Sequence, residues 1–303
     1  MRSAVQHLHD ACEFAQRSLE LAVLARESLI AEAELTPKPG LVDRRGSGAH
    51  SDLTLDLMRR SAFALEPFFA AMASVSEGRI PDRELREELA LIGQDAEHAM
   101  FQATRGANSH KGAIWILGLL VAGAARNQGQ SAAEIAEGAA AIARYPHRPG
   151  PELVTHGEIV RRRYGVDGAR GEAMQAFPHV TSPGMPMLRK QRDSGRCEHI
   201  CRLDALCAIM SELDDTCVLY RGGRSGLAVI KARARAVLAA GGYGSVSGRK
   251  EAQRLDSELS ARRLSPGGSA DLLAATIFLD VVDRQEQEVC KDQSEWEATG
   301  GKS

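Results

Sequence analysis

The sequence predicts an all-α protein, built as a single compact domain of many helices. Aromatic residues make up only 4% of the 303 residues, whereas Ala, Leu, Glu and Arg are abundant, and this composition favours helices over strands. Apolar residues recur with the period of a helix along most of the chain. Polar segments rich in Gly and Pro separate these stretches, and they predict the loops between helices.

Ten stretches have this helical period, and they predict the order of the helices. They are residues 19–35, 53–75, 84–103, 113–125, 132–143, 153–164, 200–219, 227–240, 251–264 and 271–282. Pro67 falls inside the second stretch, so we expect a kink or a division there. The most apolar segment, residues 112–125, is shorter than the ~20 residues that cross a bilayer, which predicts a buried helix.

The charge balance and the N-terminal sequence argue against binding to nucleic acid or membranes and against secretion. Lys and Arg number 38 and Asp and Glu number 40, so the net charge of −2 gives no general attraction to nucleic acid or to an anionic membrane. The N-terminus lacks the layout of a signal peptide, and we expect a cytoplasmic protein. We predict an N-terminal extension at residues 1–16, a helical catalytic domain at residues 17–282 and an acidic, flexible tail at residues 283–303.

Two of the six cysteines, Cys197 and Cys201, stand one helical turn apart with His199 between them. This spacing would allow a zinc site. Reduced thiols in a helix of a cytosolic protein are the interpretation that we favour, because the chain has no CxxC pair.

Several loops concentrate Lys, Arg, His and Asp, which short turns between helices do not need for folding. The loops are residues 36–52, 106–112, 165–172, 221–226, 241–248 and 265–269. Residues 145–151 contain three prolines and predict a connector. The concentration of charge predicts a functional site formed by inter-helix loops.

The first loop, residues 36–52, has the strongest functional signal. Pro37 and Pro39 stiffen the backbone around Lys38, which lowers the entropy cost of holding its ammonium in one place. Asp43 and His50 add a carboxylate and a base that titrates near neutral pH. The structural alternative makes Asp52 the N-cap of the next helix and leaves the rest as a solvated turn.

The second loop opens the most apolar helix. Asn108 or Ser109 can cap this helix, whose free N–H groups and positive dipole end would then lie beside His110 and Lys111. A helix start of this kind binds phosphate without a Walker loop, and no GxxxxGK[ST] motif occurs in the chain. The structural alternative is a capped helix with its charges in solvent.

The remaining loops offer further polar groups. Arg170 stands between glycines and suits bidentate binding of a phosphate. Asp214 and Asp215 are adjacent and would point about 100° apart on a helix, so they suit a metal shell better than a shared proton. Ser269 and Asp271 form a good helix start, and that structural role suffices for them.

Eight segments, in this order, resemble the triphosphoribosyl-dephospho-coenzyme A synthase family. They are residues 34–43 (ELTPKPGLVD), 48–50 (GAH), 108–112 (NSHKG), 164–165 (YG), 168–173 (GARGEA), 215–216 (DT), 220–223 (YRGG) and 268–272 (GSADL). Together they extend from about residue 29 to residue 278, which is nearly the whole chain.

The resemblance implies an all-helical, stand-alone transferase that uses ATP and 3′-dephospho-coenzyme A. It would join the triphosphoribosyl group of ATP to the 2′-hydroxyl of dephospho-coenzyme A and release adenine. The product would be the prosthetic-group precursor for an acyl carrier protein, and we favour malonate decarboxylase over citrate lyase. No nucleic acid or membrane partner is expected, and a homodimer stays open.

The loops supply groups for each role that this reaction requires. We assign the phosphates to Lys38, Asn108, Lys111, Arg170 and Arg221, with Gly222 and Gly223 for close approach; Mg²⁺ to Glu34, Asp215 and Asp271; and catalysis to Asp43, His50 and His110. Glu32 and Glu34 lie on different helix faces, so at most one of them faces the first loop. Cys217 stands where we expect Asn in relatives, so a ligand is in doubt there.

Two other functions fit the same loops. A helical, Mg²⁺-dependent nucleotide or ADP-ribosyl hydrolase would use water as the acceptor. A non-catalytic protein that senses a nucleotide would bind without turnover. The reaction products distinguish these functions from group transfer.

Overall fold

A computed structural model describes the backbone of residues 4–146 and 155–300, and the side chains of residues 15–146 and 155–288. In these ranges the chain forms one compact domain of twelve α-helices without a strand, which confirms the all-α prediction. The helices are α1 (Ala4–Glu34), α2 (Leu55–Ser76), α3 (Arg83–Thr104), α4 (Lys111–Ala125), α5 (Ala132–Ala143), α6 (His156–Tyr164), α7 (Gly168–Met174), α8 (Met185–Asp193), α9 (Glu198–Glu212), α10 (Thr216–Ala239), α11 (Val246–Arg262) and α12 (Gly267–Gly300).

Side-chain caps fix where several helices begin. Asp82 accepts a hydrogen bond from the N–H of Leu85 at the start of α3, and Ser131 forms a capping box with Glu134 at the start of α5. Each cap satisfies an N–H that has no partner within its own helix. Pro67 lies inside α2 and does not divide it.

Helix α4 lies at the centre of the fold. Twelve of its fifteen residues are buried, and it packs against α1, α2, α3, α5 and α12. The second turn of α12 meets the first turn of α4, where a Cβ on residue 112 would lie only 2.1 Å from Oδ2 of Asp271. Because these two turns touch, the loops that precede α4 and α12 lie at the same end of the core.

The chain differs from the predicted helices at two places on the C-terminal side. The periodic stretch 200–219 is not one helix, because α9 ends at Glu212 and Asp215 caps a new helix. The predicted loop 221–226 lies inside α10, where Gly223 alone leaves helical geometry, with φ 60° and ψ −164°. The prediction of a loop at residues 221–226 was therefore wrong, because only Gly223 departs from the helix.

A second difference lies between residues 165 and 199. Most of the predicted loop 165–172 belongs to α7, which begins at Gly168. A π-helical turn, Val180–Gly184, then leads into α8, which no periodic stretch predicts. Helix α8 buries only Met185 and Leu188, too few apolar positions to produce a recognisable period.

The outer segments are helical where the backbone is described. Helix α1 continues through the predicted boundary at residue 17, and α12 continues through the one at residue 283. Asp283 is buried and accepts from the N–H of Ala132. The division into extension, domain and tail stays a prediction, and most of the connector at residues 145–151 lies outside the described residues. No helix in the described residues is long and apolar enough to span a membrane.

The packing of α4 against α5 depends on Gly123. A Cβ on residue 123 would lie 2.6 Å from the carbonyl oxygen of Ile135 and 3.1 Å from the N atom of Ala139, which are both backbone atoms. We expect Gly123→Ala to lower the free energy of unfolding by about 1–3 kcal/mol, because the helices must move apart. Urea unfolding monitored by circular dichroism measures this change.

Gly93→Ala is the matched control for this substitution. A Cβ on residue 93, within α3, would meet only the end of the Met72 side chain at 3.8 Å. It should stabilise the protein by about 0.5–1 kcal/mol through helix propensity. Equal effects of the two substitutions would contradict the close packing at Gly123.

Candidate active site

The first loop, residues 36–52, contacts both α10 and the loop before α12. His50 Nε2 lies 2.8 Å from the hydroxyl of Ser265, and Arg221 donates from Nη1 to the carbonyl oxygen of Ala49 over 3.4 Å. The N–H of Gly40 donates to Asp256 of α11. Three of the loops that the sequence singles out therefore meet here.

A buried ion pair lies beneath this loop. The side chain of Lys38 is only 1% exposed, and its Nζ donates to Oε1 of Glu32 over 2.5 Å and to the Glu32 carbonyl oxygen over 2.7 Å. Glu32 is buried as well. In this arrangement the ammonium faces a carboxylate of α1, and the assignment of Lys38 to a phosphate stays a prediction.

Glu34, the residue that we predicted as a magnesium ligand, lies on another face of α1. It pairs with Arg44 and Arg59. Partial burial alone would raise the pKa of Glu34, but hydrogen bonds from Arg59 and Arg44 outweigh it, and the pKa lies below the ordinary value. The carboxylate of α1 that faces the interior is therefore Glu32, which the sequence did not single out.

Asp43 holds the first loop in its shape. Its carboxylate accepts from the N–H of Lys38 over 2.9 Å and from the N–H of Arg45 over 2.7 Å. The guanidinium of Arg45 covers the same carboxylate and also pairs with Asp256. Donors of the loop itself thus occupy both oxygens of Asp43, and its predicted catalytic role is not tested by this geometry.

His50, the histidine of the first loop, lies near the guanidinium of Arg221. Its Nδ1 is 3.4 Å from Nη2 of Arg221 and 3.6 Å from a carboxylate oxygen of Asp52. Burial and then the charge of Arg221 lower the pKa of His50, and Asp52 offsets part of this shift. The ring is therefore neutral at physiological pH, which is the form that can accept a proton.

His110 is the second imidazole and is only 2% exposed. Its Nδ1 lies 2.8 Å from the hydroxyl of Ser61, while Nε2 has no hydrogen-bond partner among the described residues. Burial and then the charge of Lys38 lower the pKa of His110 to about 3. His110 and the Lys38–Glu32 pair thus share one buried environment.

The neighbours of His110 begin helix α4. The N-cap position is His110, whose side chain makes no capping bond, and not Asn108 or Ser109 as predicted. Oδ1 of Asn108 still accepts from the N–H of Lys111 over 3.3 Å. The hydroxyl of Ser109 donates to Ser61 instead. The ammonium of Lys111 pairs with Glu97 of α3 at 2.7 Å.

Asp215 joins the starts of two helices. It is buried, and its carboxylate accepts from the N–H groups of Cys217 and Val218 in α10 and from the N–H and hydroxyl of Ser269 in α12. Burial raises the pKa of Asp215, and these hydrogen bonds counter part of the shift. Four donors therefore fill the lone pairs that a metal ion would need.

Asp271, in the second turn of α12, lies beside the charges of Glu32 and Asp215. Burial, then the negative charges of Glu32 and Asp215, hold its pKa well above the ordinary value. A raised pKa favours the protonated form of the carboxyl, which is the form that can donate a proton.

The predicted magnesium ligands fall in two places. The negative charge of Asp215 contributes to the raised pKa of Asp271, so these two carboxyls lie near each other, whereas Glu34 is held by two arginines. In the part of the chain that the structure describes, no three His, Cys, Asp or Glu residues are arranged to hold a metal ion. The assignment of Mg²⁺ to Glu34, Asp215 and Asp271 stays a prediction.

The two predicted glycines of α10 approach protein atoms. A Cβ on residue 222 would lie 2.5 Å from the side chain of Leu264, and one on residue 223 would lie 3.3 Å from the hydroxyl of Tyr164. The break at Gly223 thus lets α10 pass close to α6. Arg170 is exposed on α7, which packs against α4 and α5.

Sequence reasoning missed Glu32, Ser61 and Ser265. The face of α1 that bears Glu32 could have been chosen from the buried neighbours Leu29 and Ala33, which mark the core side of the helix. For Ser61 no signal existed, because its contact with His110 joins positions 49 residues apart.

Known proteins resemble this chain over almost its whole length. A family model described as ATP:dephospho-CoA triphosphoribosyl transferase matches residues 18–289. A protein of Stutzerimonas stutzeri strain A1501, named probable 2-(5''-triphosphoribosyl)-3'-dephosphocoenzyme-A synthase, is 54% identical over 267 residues, which is 86% of this chain and 90% of the relative. A Klebsiella pneumoniae protein, named 2-(5''-triphosphoribosyl)-3'-dephosphocoenzyme-A synthase, is 51% identical over 264 residues, 86% of this chain and 94% of the relative. No solved structure matches.

Removing the negative charge of Glu32 should lower the stability of the protein strongly, because Glu32 is the partner of Lys38. Glu32→Gln leaves the buried ammonium without its counter-charge, so we expect the free energy of unfolding to fall by about 3 kcal/mol, measured by urea unfolding. The double variant Glu32→Gln/Lys38→Met should recover part of this loss, because neither buried charge remains.

Glu34→Gln, two residues away, is the matched control. Glu34 is partly solvated, so the same substitution should cost about 1 kcal/mol or less. A loss of the same size for Glu32→Gln and Glu34→Gln would show that the Lys38 ammonium is not buried against Glu32.

Proposed function

The chain belongs to the ATP:dephospho-CoA triphosphoribosyl transferase family and is an enzyme of that family, a triphosphoribosyl-dephospho-coenzyme A synthase. From this premise we propose that it transfers the triphosphoribosyl group of ATP to the 2′-hydroxyl of 3′-dephospho-coenzyme A and releases adenine for the malonate decarboxylase system. The observation that carries the reaction is the family match over residues 18–289, which includes every loop of the candidate site.

The reaction breaks the bond between adenine and the ribose of ATP and forms a bond from the same ribose carbon to the acceptor hydroxyl. The acceptor must lose a proton, and adenine leaves more readily when it gains one. Positive charge develops on the ribose in the transition state, and a nearby carboxylate stabilises it. The side chains of the candidate site offer a group for each of these three tasks.

His50 is the base that this geometry supports best. A general base works best when its pKa lies near the working pH. The pKa of His110 is about 3, which makes it a weak base, whereas His50 is only partly buried and lies at the surface of the loop beside Arg221. We therefore assign proton acceptance from the 2′-hydroxyl to His50, which Ser265 orients through its hydroxyl.

Asp271 is the acid that we propose for adenine departure. Burial and then the negative charges of Glu32 and Asp215 raise its pKa, which favours the protonated form that an acid needs. After it gives this proton to adenine, Asp271 becomes an anion near the ribose, where it stabilises the positive charge. Asp43 supports the site by holding the first loop in place.

The triphosphate needs cations that are accessible. Arg221, Arg170 and Lys111 have substantial exposure, unlike Lys38, and we assign the phosphates to these three residues. ATP enters as its Mg²⁺ complex in this proposal, so that the metal arrives with the substrate. No step is assigned to a resident metal ion. A cytoplasmic location and a homodimer stay predictions.

Product analysis tests the proposed reaction directly. After incubation of the protein with ATP, Mg²⁺ and 3′-dephospho-coenzyme A, mass spectrometry should detect free adenine and a dephospho-coenzyme A adduct that carries a triphosphoribosyl group. Adenine with free ribose triphosphate would support the hydrolase alternative, and binding without turnover would support a nucleotide sensor. Complementation of strains that lack the synthase of either system separates malonate decarboxylase from citrate lyase.

Asp271→Asn tests the proposed acid. Asn has nearly the same shape but cannot donate a proton to adenine, so we expect kcat for adenine release to fall by about 10²–10⁴-fold. In the wild type, activity should fall as the pH rises through the raised pKa of Asp271, because only the protonated form donates. Unchanged helicity by circular dichroism is the folding control. A variant with the wild-type kcat and the same alkaline limb would rule out Asp271 as the donor.

A further inference from the structure

Arg86 is a buried arginine that the proposed reaction does not use. It lies in the first turn of α3, yet only 5% of the residue is exposed. Its guanidinium carbon lies 4.2 Å from the centre of the Trp115 ring, in α4. The guanidinium of α3 thus lies over a ring of α4, and Trp115 stands one helical turn along α4 from Lys111.

Three buried N–H groups of this stacked pair have no acceptor among the described residues. Nε and Nη1 of Arg86 and Nε1 of Trp115 are all buried, and none has a hydrogen-bond partner among the described residues. An arginine or tryptophan nitrogen can only donate, so rotation of the side chains does not satisfy them. Buried donors in proteins are normally paired, and an exception calls for an explanation.

The local charge points to a ligand rather than to a protein partner. The charged neighbour that acts on Arg86 is another cation, Arg170, and no described carboxylate forms an ion pair with Arg86. Burial and then the charge of Arg170 lower the pKa of Arg86 to about 10. Stacking on Trp115 compensates only part of the cost of burying the charge. An anion would satisfy both the charge and the three donors.

We propose that Arg86, Arg170 and the indole N–H of Trp115 form a binding site for the phosphate chain of a substrate. This inference rests on the proposed function, in which ATP brings a triphosphate and dephospho-coenzyme A brings a diphosphate. A guanidinium presents parallel N–H groups that match two phosphate oxygens. Lys111 and Trp115 lie on the same face of α4, so this subsite, the Arg86 subsite, continues the cationic surface that begins at the candidate active site.

Binding of inorganic tripolyphosphate tests the Arg86 subsite without catalysis. Isothermal titration at low salt should show binding to the wild-type protein, and Arg86→Met should weaken it about tenfold or more through loss of charge-assisted hydrogen bonds. Arg83→Met, on the same turn of α3 but exposed, removes the same charge and should leave binding within about twofold. Equal binding by the two variants, or no binding to the wild type, would overturn the proposal.

Stability without ligand separates a binding role from a structural one. Because Arg86 is a buried cation without a counter-charge, the folded Arg86→Met variant should have a melting temperature no lower than that of the wild type, while its shift with tripolyphosphate is lost. A purely structural role predicts a lower melting temperature and an unchanged shift. If Arg86→Met does not fold, Trp115→Phe keeps a stacked ring and removes one donor, and it should weaken tripolyphosphate binding by several-fold; unchanged binding would contradict the subsite.

Steady-state kinetics identify which substrate the Arg86 subsite receives. A triphosphate site predicts that Arg86→Met raises the KM for ATP and leaves that for dephospho-coenzyme A unchanged, and a diphosphate site predicts the reverse. No rise in either KM and no change in kcat would overturn the proposal. If the wild-type protein releases no adenine, the proposed function fails by itself, whereas tripolyphosphate binding still decides on the Arg86 subsite.

Discussion

The arrangement of the site depends on the ion pair between Lys38 and Glu32. Both charges are buried, and the desolvation cost of such a pair is large unless its geometry is good and further hydrogen bonds are made. Both conditions hold, because Nζ also reaches the Glu32 carbonyl oxygen and Asp43 fixes the Lys38 backbone. The pair then sets the charge of its neighbours, since Lys38 lowers the pKa of His110 and Glu32 raises that of Asp271.

Asp215 connects the starts of two helices, α10 and α12. Its carboxylate holds the first turns of α10 and α12 together, and the second turn of α12 in turn packs against Gly112 of α4. Helix starts that are joined in this way place the loops before them at one end of the core. Arg221 of α10 and Ser265 of the loop before α12 therefore both reach His50, so the rigid helices position the groups around the proposed base.

The sequence was enough to predict the fold class, most of the helices and the loops that form the site. Strong apolar periods marked these helices, whereas α7 and α8 bury few apolar residues and gave no such period. The break before α10 was missed because the apolar period continues across it, although Asp215 marks the break locally by capping α10 at the N–H groups of Cys217 and Val218. The contact of the Lys38 ammonium with Glu32 was not predicted, for a similar reason. Lysine is almost never fully buried unless it is paired, and the choice between Glu32 and Glu34 as the partner depends on packing.

The proposed acid depends on the raised pKa of Asp271, which burial and then the negative charges of Glu32 and Asp215 produce. A pH titration by ¹³C NMR of protein labelled at the aspartate carboxyls, with the signal assigned by its absence in Asp271→Asn, measures this directly. We expect the Asp271 signal to titrate well above the ordinary range for aspartate. An Asp271 signal that titrates near pH 4 would contradict it.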